Sequence, residues 1–331
     1  MTKLKFSAIA LAAVLSASTG SAVQAADLRL ASGFGDPHSS SRALSSVFAD
    51  YVESHTDHSV SVFPNSELGQ ATEMINQAQS GINFGVFVSS AYFNAQVPEL
   101  GVTNLPFVFN SRDQAFAVLD GPFGDGLKAE FEENGLEVLG FMELGFRNLT
   151  NSVRPIKKPE DLAGLKIRLQ KNPVHVATFE QLGASTVNID WSETFAALRQ
   201  GVMDGQENPY SVINTFQLYE ANQKYLTDSG HFYDILVFAV SKKMMDGFSP
   251  DDQQAIREAG RLATLEQRKL AAEEDQKNLD ALKASGMEVT ELTDEQREAF
   301  RVATQPVYEQ IGETLGHDTV SAFVEAVQAV K

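Results

Sequence analysis

The sequence predicts an α/β protein of two domains, with one helix long enough to lie along both. Three observations carry this. From residue 27 onward, short apolar stretches alternate with helix-length ones, the pattern of strands joined by helical crossovers into a parallel sheet. About 305 residues lie beyond an N-terminal leader, the length of about two domains. A run from Ser249 to Ser285 has no proline after Pro250 and no glycine but Gly260. As a helix it would extend roughly 54 Å, further than one such domain is across.

The leader comes first. Lys3 and Lys5 precede an apolar run from Phe6 to Leu15, and small residues follow, ending in Val23-Gln24-Ala25. This is the layout of a secretory signal peptide over residues 1–25, with a mature start at Ala26. The apolar run is too short to span a bilayer. The chain has no Cys, so neither a lipid-anchored cysteine nor a disulfide can form, which suits an oxidising compartment. The mature protein is expected to be soluble and exported to the periplasm.

Strands are expected at Asp27–Ser32, Ser59–Phe63 and Phe84–Val88, the last apolar throughout as buried parallel strands are. Helices are expected at 39–54 and 70–79. Residues 97–109 are irregular and apolar. Helices at 112–119 and 124–134 lead to a strand at 136–144. The pattern restarts after Gly145, with an extended stretch at 147–151 and a short helical turn at 159–164. In the next strand Leu165, Ile167 and Leu169 alternate with Lys166, Arg168 and Gln170, the period of a strand with one buried face. Asn172 and Pro173 open a helix to Leu182. A strand near 186–189, a helix at 192–201 capped by Ser192, a short strand at 202–205 and a helix at 209–225 follow. Asp234–Ser241 is an apolar strand. After the long helix come a strand at 287–290 and helices at 294–311 and 318–330. No flexible linker is visible, so the chain should cross between domains more than once. The expected division is 26–144 plus 234–270 for one domain and 145–233 plus 271–331 for the other.

Net charge is −18, or −20 without Lys3 and Lys5. With no basic stripe, this argues against nucleic acid. It does not exclude an anionic ligand, because diffuse surface charge is screened within about 10 Å at 0.1 M salt. No Gly-x-Ser-x-Gly elbow, Walker loop or dinucleotide-binding glycine motif occurs, so no enzyme and no cofactor is indicated. His55-x-x-His58 reads as a solvated loop, and no metal site is expected.

Arg168 should stand at the C-terminal end of a strand beside a helix start, where open α/β sheets bind ligands. Its planar fork of donors matches a carboxylate. Arg147 follows an apolar strand, and Asn208 lies in the polar loop Asp204–Pro209, able to donate and accept at once. Two arginines and an amide suit a carboxylate flanked by hydroxyls. Trp191, the only Trp, sits at a strand-to-helix junction. Three segments of the first half are placed to face a cleft: Asp36–Ser39 with His38, Glu67–Gln70, and Ser89–Tyr92. The alternative for each arginine is a surface ion pair; for Trp191, core packing; for the loops, turn and cap chemistry.

Five stretches together resemble the DctP-type solute-binding proteins of TRAP (tripartite ATP-independent periplasmic) transporters. They are Phe63–Gly69, Leu105–Phe109, Gly145–Asn151, Asp161–Arg168 and Asp204–Pro209, in the family's order along most of the mature chain. The resemblance implies a two-domain periplasmic binding protein fold, with mixed central sheets flanked by helices and one long helix spanning both domains. It implies that the domains close on a ligand whose carboxylate pairs with Arg168, helped by Arg147 and Asn208, with Trp191 at the family's aromatic position. It implies delivery to membrane permease subunits, driven by an ion gradient. The residues after Arg168, ending in Asn172-Pro173, are similar to members that bind sugar acids such as uronates and aldonates, with Gln170 and Asn172 placed to read hydroxyls. The expected partners are a small organic acid and the permease; the protein itself is expected to be a monomer. The alternatives are another organic acid (C4-dicarboxylate, keto acid, sulfonate or ectoine-like solute), an exported sugar-acid enzyme, or a subunit that presents ligand to a membrane sensor.

Overall fold

The computed structural model describes residues 25–330, so the predicted leader lies outside the described residues save for Ala25. Nine strands form one mixed sheet: β1 (Asp27–Ser32), β2 (Ser59–Phe63), β3 (Gly85–Ser89), β4 (Leu136–Asn151), β5 (Lys166–Leu169), β6 (Ser185–Asn188), β7 (Gly205–Asn208), β8 (Tyr225–Ser241) and β9 (Glu288–Glu291). Their order is β2-β1-β3-β8-β4-β7-β5-β6, with β9 added on β8. Helices flank this sheet, so the α/β class expected from the sequence holds.

The parallel pairing expected from the sequence lies in the wings, where β1 pairs with β2 and β3, and β5 with β6 and β7, and where β9 joins the end of β8. The centre is antiparallel: β8 pairs with β3 and β4, and β4 with β7. The two central strands are 16 and 17 residues long, nearly twice what the apolar pattern indicates. The extended stretch expected at 147–151 continues the strand before it, and the first half of β8 was not expected; both parts carry polar residues such as Arg147, Asn148, Thr150, Thr227 and His231, all buried. Burial of polar groups erases the alternation on which strand prediction depends. β3 joins β8 over residues 236–240, whereas β7 joins β4 over residues 148–151. The wings therefore attach at opposite ends of one long ribbon.

The helix Pro250–Ala284 runs unbroken for 35 residues, about 52 Å. Ser249 caps it, its hydroxyl accepting from the Asp252 amide at 3.1 Å. Gly260 does not interrupt it. A Cβ there would stand 2.6 Å from Cβ of Leu139, so the glycine lets helix and β4 approach closely. The first half of the helix buries Ile256, Ala259 and Ala263 against Leu30, Phe87 and Phe238. Its far end buries Leu279 and Leu282 against Tyr210, Ile213 and Leu226. One helix thus contributes to the cores at both ends of the ribbon.

Several boundaries differ from the sequence reading. The strand expected at 202–205 is Gly205–Asn208, so Asn208 lies on a strand rather than in a loop. The helix expected from 192 starts at Trp191, with Asp190 and not Ser192 at the cap position. The helix expected at 209–225 is only Tyr210–Thr215, followed by a short turn between Gln217 and Asn222, both at positive φ. The helix expected at 294–311 divides into Asp294–Thr304 and Pro306–Leu315, because Pro306 has no N–H to continue the ladder. His58 is buried against Phe248 rather than solvated, its Nδ1 accepting from the Ala26 amide. Among the described residues no cluster of His, Asp and Glu could hold a metal, and no helix is long and apolar enough to cross a membrane.

We propose that the two domains divide within β4 and β8, near residues 144/145 and 233/234, where the ladder carries a register shift between Glu143 and Gly145. The last two helices bury Val307, Ile311, Val320 and Phe323 in one cluster with Phe93, Leu100, Val118 and Phe131. Side-chain packing at the C-terminus therefore reaches elements of the first half.

Close approach makes a testable contrast. A Cβ at Gly140 would stand 1.9 Å from Oγ1 of Thr264, whereas at Gly126, inside the helix Pro122–Glu133, it would meet nothing within 4 Å. Gly140→Ala is expected to lower stability by about 1–3 kcal/mol and Gly126→Ala to raise it by about 0.5–1 kcal/mol. Urea unfolding of the two variants measures both signs.

Candidate ligand-binding site

β5 places its apolar residues on one face. Leu165, Ile167 and Leu169 pack with Phe179 and Phe232. Arg168 points the other way and is 1% exposed. Its Nε and Nη2 donate to the Ile189 carbonyl at 3.2 and 2.9 Å, and Nη2 reaches the Tyr92 hydroxyl at 3.4 Å. The guanidinium carbon lies 5.5 Å from the centre of the Trp191 ring. Nη1 has no hydrogen-bond partner. A buried cation that lacks a counter-charge is costly, so its surroundings are incomplete without an anion.

Tyr92 and Trp191, though not Arg168 itself, line a narrow cleft whose free space counted out to its mouth is about 500 Å³, of which about 40 Å³ can be reached by the centre of a water-sized sphere. One wall comes from the β1–β3 wing and brings Phe34, Ser66, Gln70, Met74 and Ser89. The other comes from the β5–β7 wing and brings Gln170, Asp190, Trp191 and Asn208. The Gln70 amide donates to the Ser192 hydroxyl at 2.5 Å, joining the walls.

Arg147 is placed differently from its sequence expectation. It is fully buried and does not line the cleft. Nε and Nη2 donate to the carboxylate of Glu207, Nη2 also to the Glu207 carbonyl at 2.6 Å, and Nη1 to Asp234 at 2.5 Å. Burial alone would raise the Glu207 carboxyl, but Arg147, His231 and His175 hold it far below the usual range. Asp234 goes the other way, raised by burial despite Arg147 and a hydrogen bond from Ser89. The contrast has a geometric cause, since the guanidinium makes two contacts to the Glu207 carboxylate and one to that of Asp234.

The other expected residues divide. Asn208, Gln170, Trp191 and Ser89 line the cleft. Asn208 donates to Gln206, and Gln170 Oε1 has no partner. The Ser89 hydroxyl is committed to Asp234. Asn172, Glu67 and His38 do not line the cleft. Asn172 caps the helix Pro173–Gln181, accepting from Val174 and His175 and donating to Asn104. His38 caps Ser39–Ala43 and stacks on Phe34 at 4.5 Å. Glu67 is exposed, and its neighbours Ser66 and Gln70 take the wall position.

The family described as bacterial extracellular solute-binding protein, family 7 (DctP), matches residues 33–314. The chain belongs to this family. A solved relative is the sugar acid binding protein of Advenella mimigardefordensis in complex with galactonate, 36% identical with a TM-score of 0.90, covering 93% of this chain and all of its own. The 2,3-diketo-L-gulonate-binding periplasmic protein YiaO of Escherichia coli is 37% identical over 255 residues, 76% of this chain and 77% of YiaO. A TRAP periplasmic solute-binding protein of Sulfurospirillum deleyianum with bound succinate is 32% identical with a TM-score of 0.86, covering 93% of this chain and all of its own. This DctP-family protein is therefore a solute-binding protein of the TRAP type and not an enzyme.

Three charged residues of the family member's site region escaped the sequence reading. Glu207 lay inside a motif read as a loop. Asp234 reads from the sequence as the start of an apolar strand, and a carboxylate directly before Ile235-Leu-Val-Phe-Ala-Val240 is the signal that points to it. Asp190 reads as an ordinary residue before a helix.

The buried histidines give a pH dependence. Burial, and for His38 also the charge of Arg42, pushes His38 and His175 down to about 3. Unfolded histidines protonate near 6.5. Between these values the unfolded state binds more protons, so stability falls as the pH falls, by up to about 1.4 kcal/mol per unit for each histidine. Glu143 opposes this, because burial raises it to about 7 and the folded state holds its proton across pH 7 to 4.5. His38→Gln is expected to flatten the fall between pH 6 and 4 by about 1.4 kcal/mol per unit. Urea midpoints at three pH values check it; an unchanged slope would contradict the burial assignment.

Proposed function

We propose that this protein is the exported, periplasmic capture subunit of a TRAP transporter, monomeric, and that it binds a sugar acid, an aldonate or a uronate. Arg168 grips the carboxylate. One observation carries this reading: a buried guanidinium whose Nη1 is unpartnered, set between two residues of the cleft wall. The amides of Gln70, Gln170 and Asn208 supply hydrogen-bonding partners suited to hydroxyls. The galactonate complex of the Advenella relative and the diketogulonate ligand of YiaO support the same class. Arg147 then acts indirectly, fixing the strand end that presents Asn208. Ligand bridges the two walls, so it binds the closed arrangement better and shifts the population toward it. The loaded protein hands its ligand to membrane permease subunits. A C4-dicarboxylate is the second reading, favoured by the succinate complex of the Sulfurospirillum relative.

Arg168→Ala is expected to weaken binding of galactonate or galacturonate at least ~100-fold, and Arg168→Lys at least ~10-fold, because lysine lacks the planar fork. Calorimetry on variants whose circular dichroism matches wild type reads this; retained affinity in Arg168→Ala removes the assigned role. A thermal-shift screen in which only C4-dicarboxylates raise the melting temperature would decide against a sugar acid.

A further inference from the structure

Asp190 stands at the cap position of the helix Trp191–Arg199, with the extended backbone (φ −65°, ψ 153°) of a capping residue. An aspartate there ordinarily accepts from the first helix amides. This one makes no such bond. It lines the cleft, with Oδ1 3.3 Å from Nζ of Lys171. It is the only charged residue among those lining the cleft in the described chain. It also directly follows Ile189, whose carbonyl holds Arg168.

The local charges can be summed by sign. Arg168 and Lys171 are positive and Asp190 negative, which leaves one net positive charge. Arg147 adds none, since Glu207 and Asp234 already surround it. Such a site balances one carboxylate. A second carboxylate would meet a cleft lining whose one charge is that of Asp190, with Lys171 outside the lining and already paired with Asp190. Hydrogen-bond capacity points the same way. Asp190 is acceptor-only as a carboxylate, so it is served by hydroxyls, which can donate, and not by a second carboxylate, which cannot.

We propose that Asp190 restricts the cleft to acids with a single negative charge, taking hydroxyls and rejecting a second carboxylate. This rests on Arg168 being the carboxylate anchor and deepens that reading by naming the charge class of ligand.

The test compares matched pairs at pH 8 by calorimetry: galactonate with galactarate, which differ only in a terminal CH2OH or carboxylate, and succinamate with succinate. Wild type should bind the singly charged member of a pair at least ~30-fold more tightly. In Asp190→Asn, which keeps size and polarity at the helix start, that ratio should fall at least ~10-fold. Rejection by size alone would leave the ratio unchanged, and that result, or a wild type that prefers the doubly charged member, overturns the proposal. If both galactose-derived acids fail to bind while succinamate binds, the sugar-acid reading falls, and the succinamate-to-succinate ratio alone decides the role of Asp190. If none of the four binds, both fall.

Discussion

One guanidinium ties the centre of this molecule together. Arg147 on β4 bonds Glu207 on β7 and Asp234 on β8, and Asp234 in turn accepts from Ser89 on β3. Four strands from both wings thus share one buried charge network. Such a network adds little over a well-packed apolar core, but removing one member strands the others and costs about 3–5 kcal/mol. It fixes the geometry of the ribbon and, through the carbonyl and carboxylate of Glu207, the neighbouring Asn208 at the cleft. It also uses up the first of the two arginines that the sequence offers to a ligand.

That leaves Arg168, which stands behind Tyr92 and Trp191 of the cleft wall without lining the cleft itself, and its environment is unlike that of Arg147. No carboxylate pairs with it among the described residues; it is held by a carbonyl, a tyrosine hydroxyl and an aromatic face. On the reading proposed above, a bound carboxylate would pair with this guanidinium as Glu207 and Asp234 pair with Arg147. The two arginines, twenty-one positions apart, differ in that one is saturated by carboxylates of the protein and the other is not.

The placement of Arg168 was legible in the sequence and that of Arg147 was not, for physical reasons. β5 alternates strictly, so the facing of Arg168 followed from period two and its position from Pro173. The ion network could not be read, because Arg147 meets partners 60 and 87 residues away and both lie in stretches without apolar alternation. Asn172 and His38 illustrate a second limit. Polar residues before a helix serve caps and ligands with the same atoms, and here both serve caps. Asp190 is the converse, since its cap position hides a side chain that does no capping. The parallel wings were legible as apolar runs, whereas the antiparallel centre was hidden by the polar groups it buries.

The bond from Arg168 to Ile189 reaches a main-chain carbonyl and no side chain. Every residue type except a distorted one supplies that acceptor equally. Position 189 can therefore drift without loosening the anchor, and position 190 beside it can change its charge without disturbing the carbonyl that precedes it. Descendants of such a scaffold could exchange one acid for another by single substitutions around a fixed grip. The arrangement makes diversification of ligand mutationally cheap while the fold and its anchor persist.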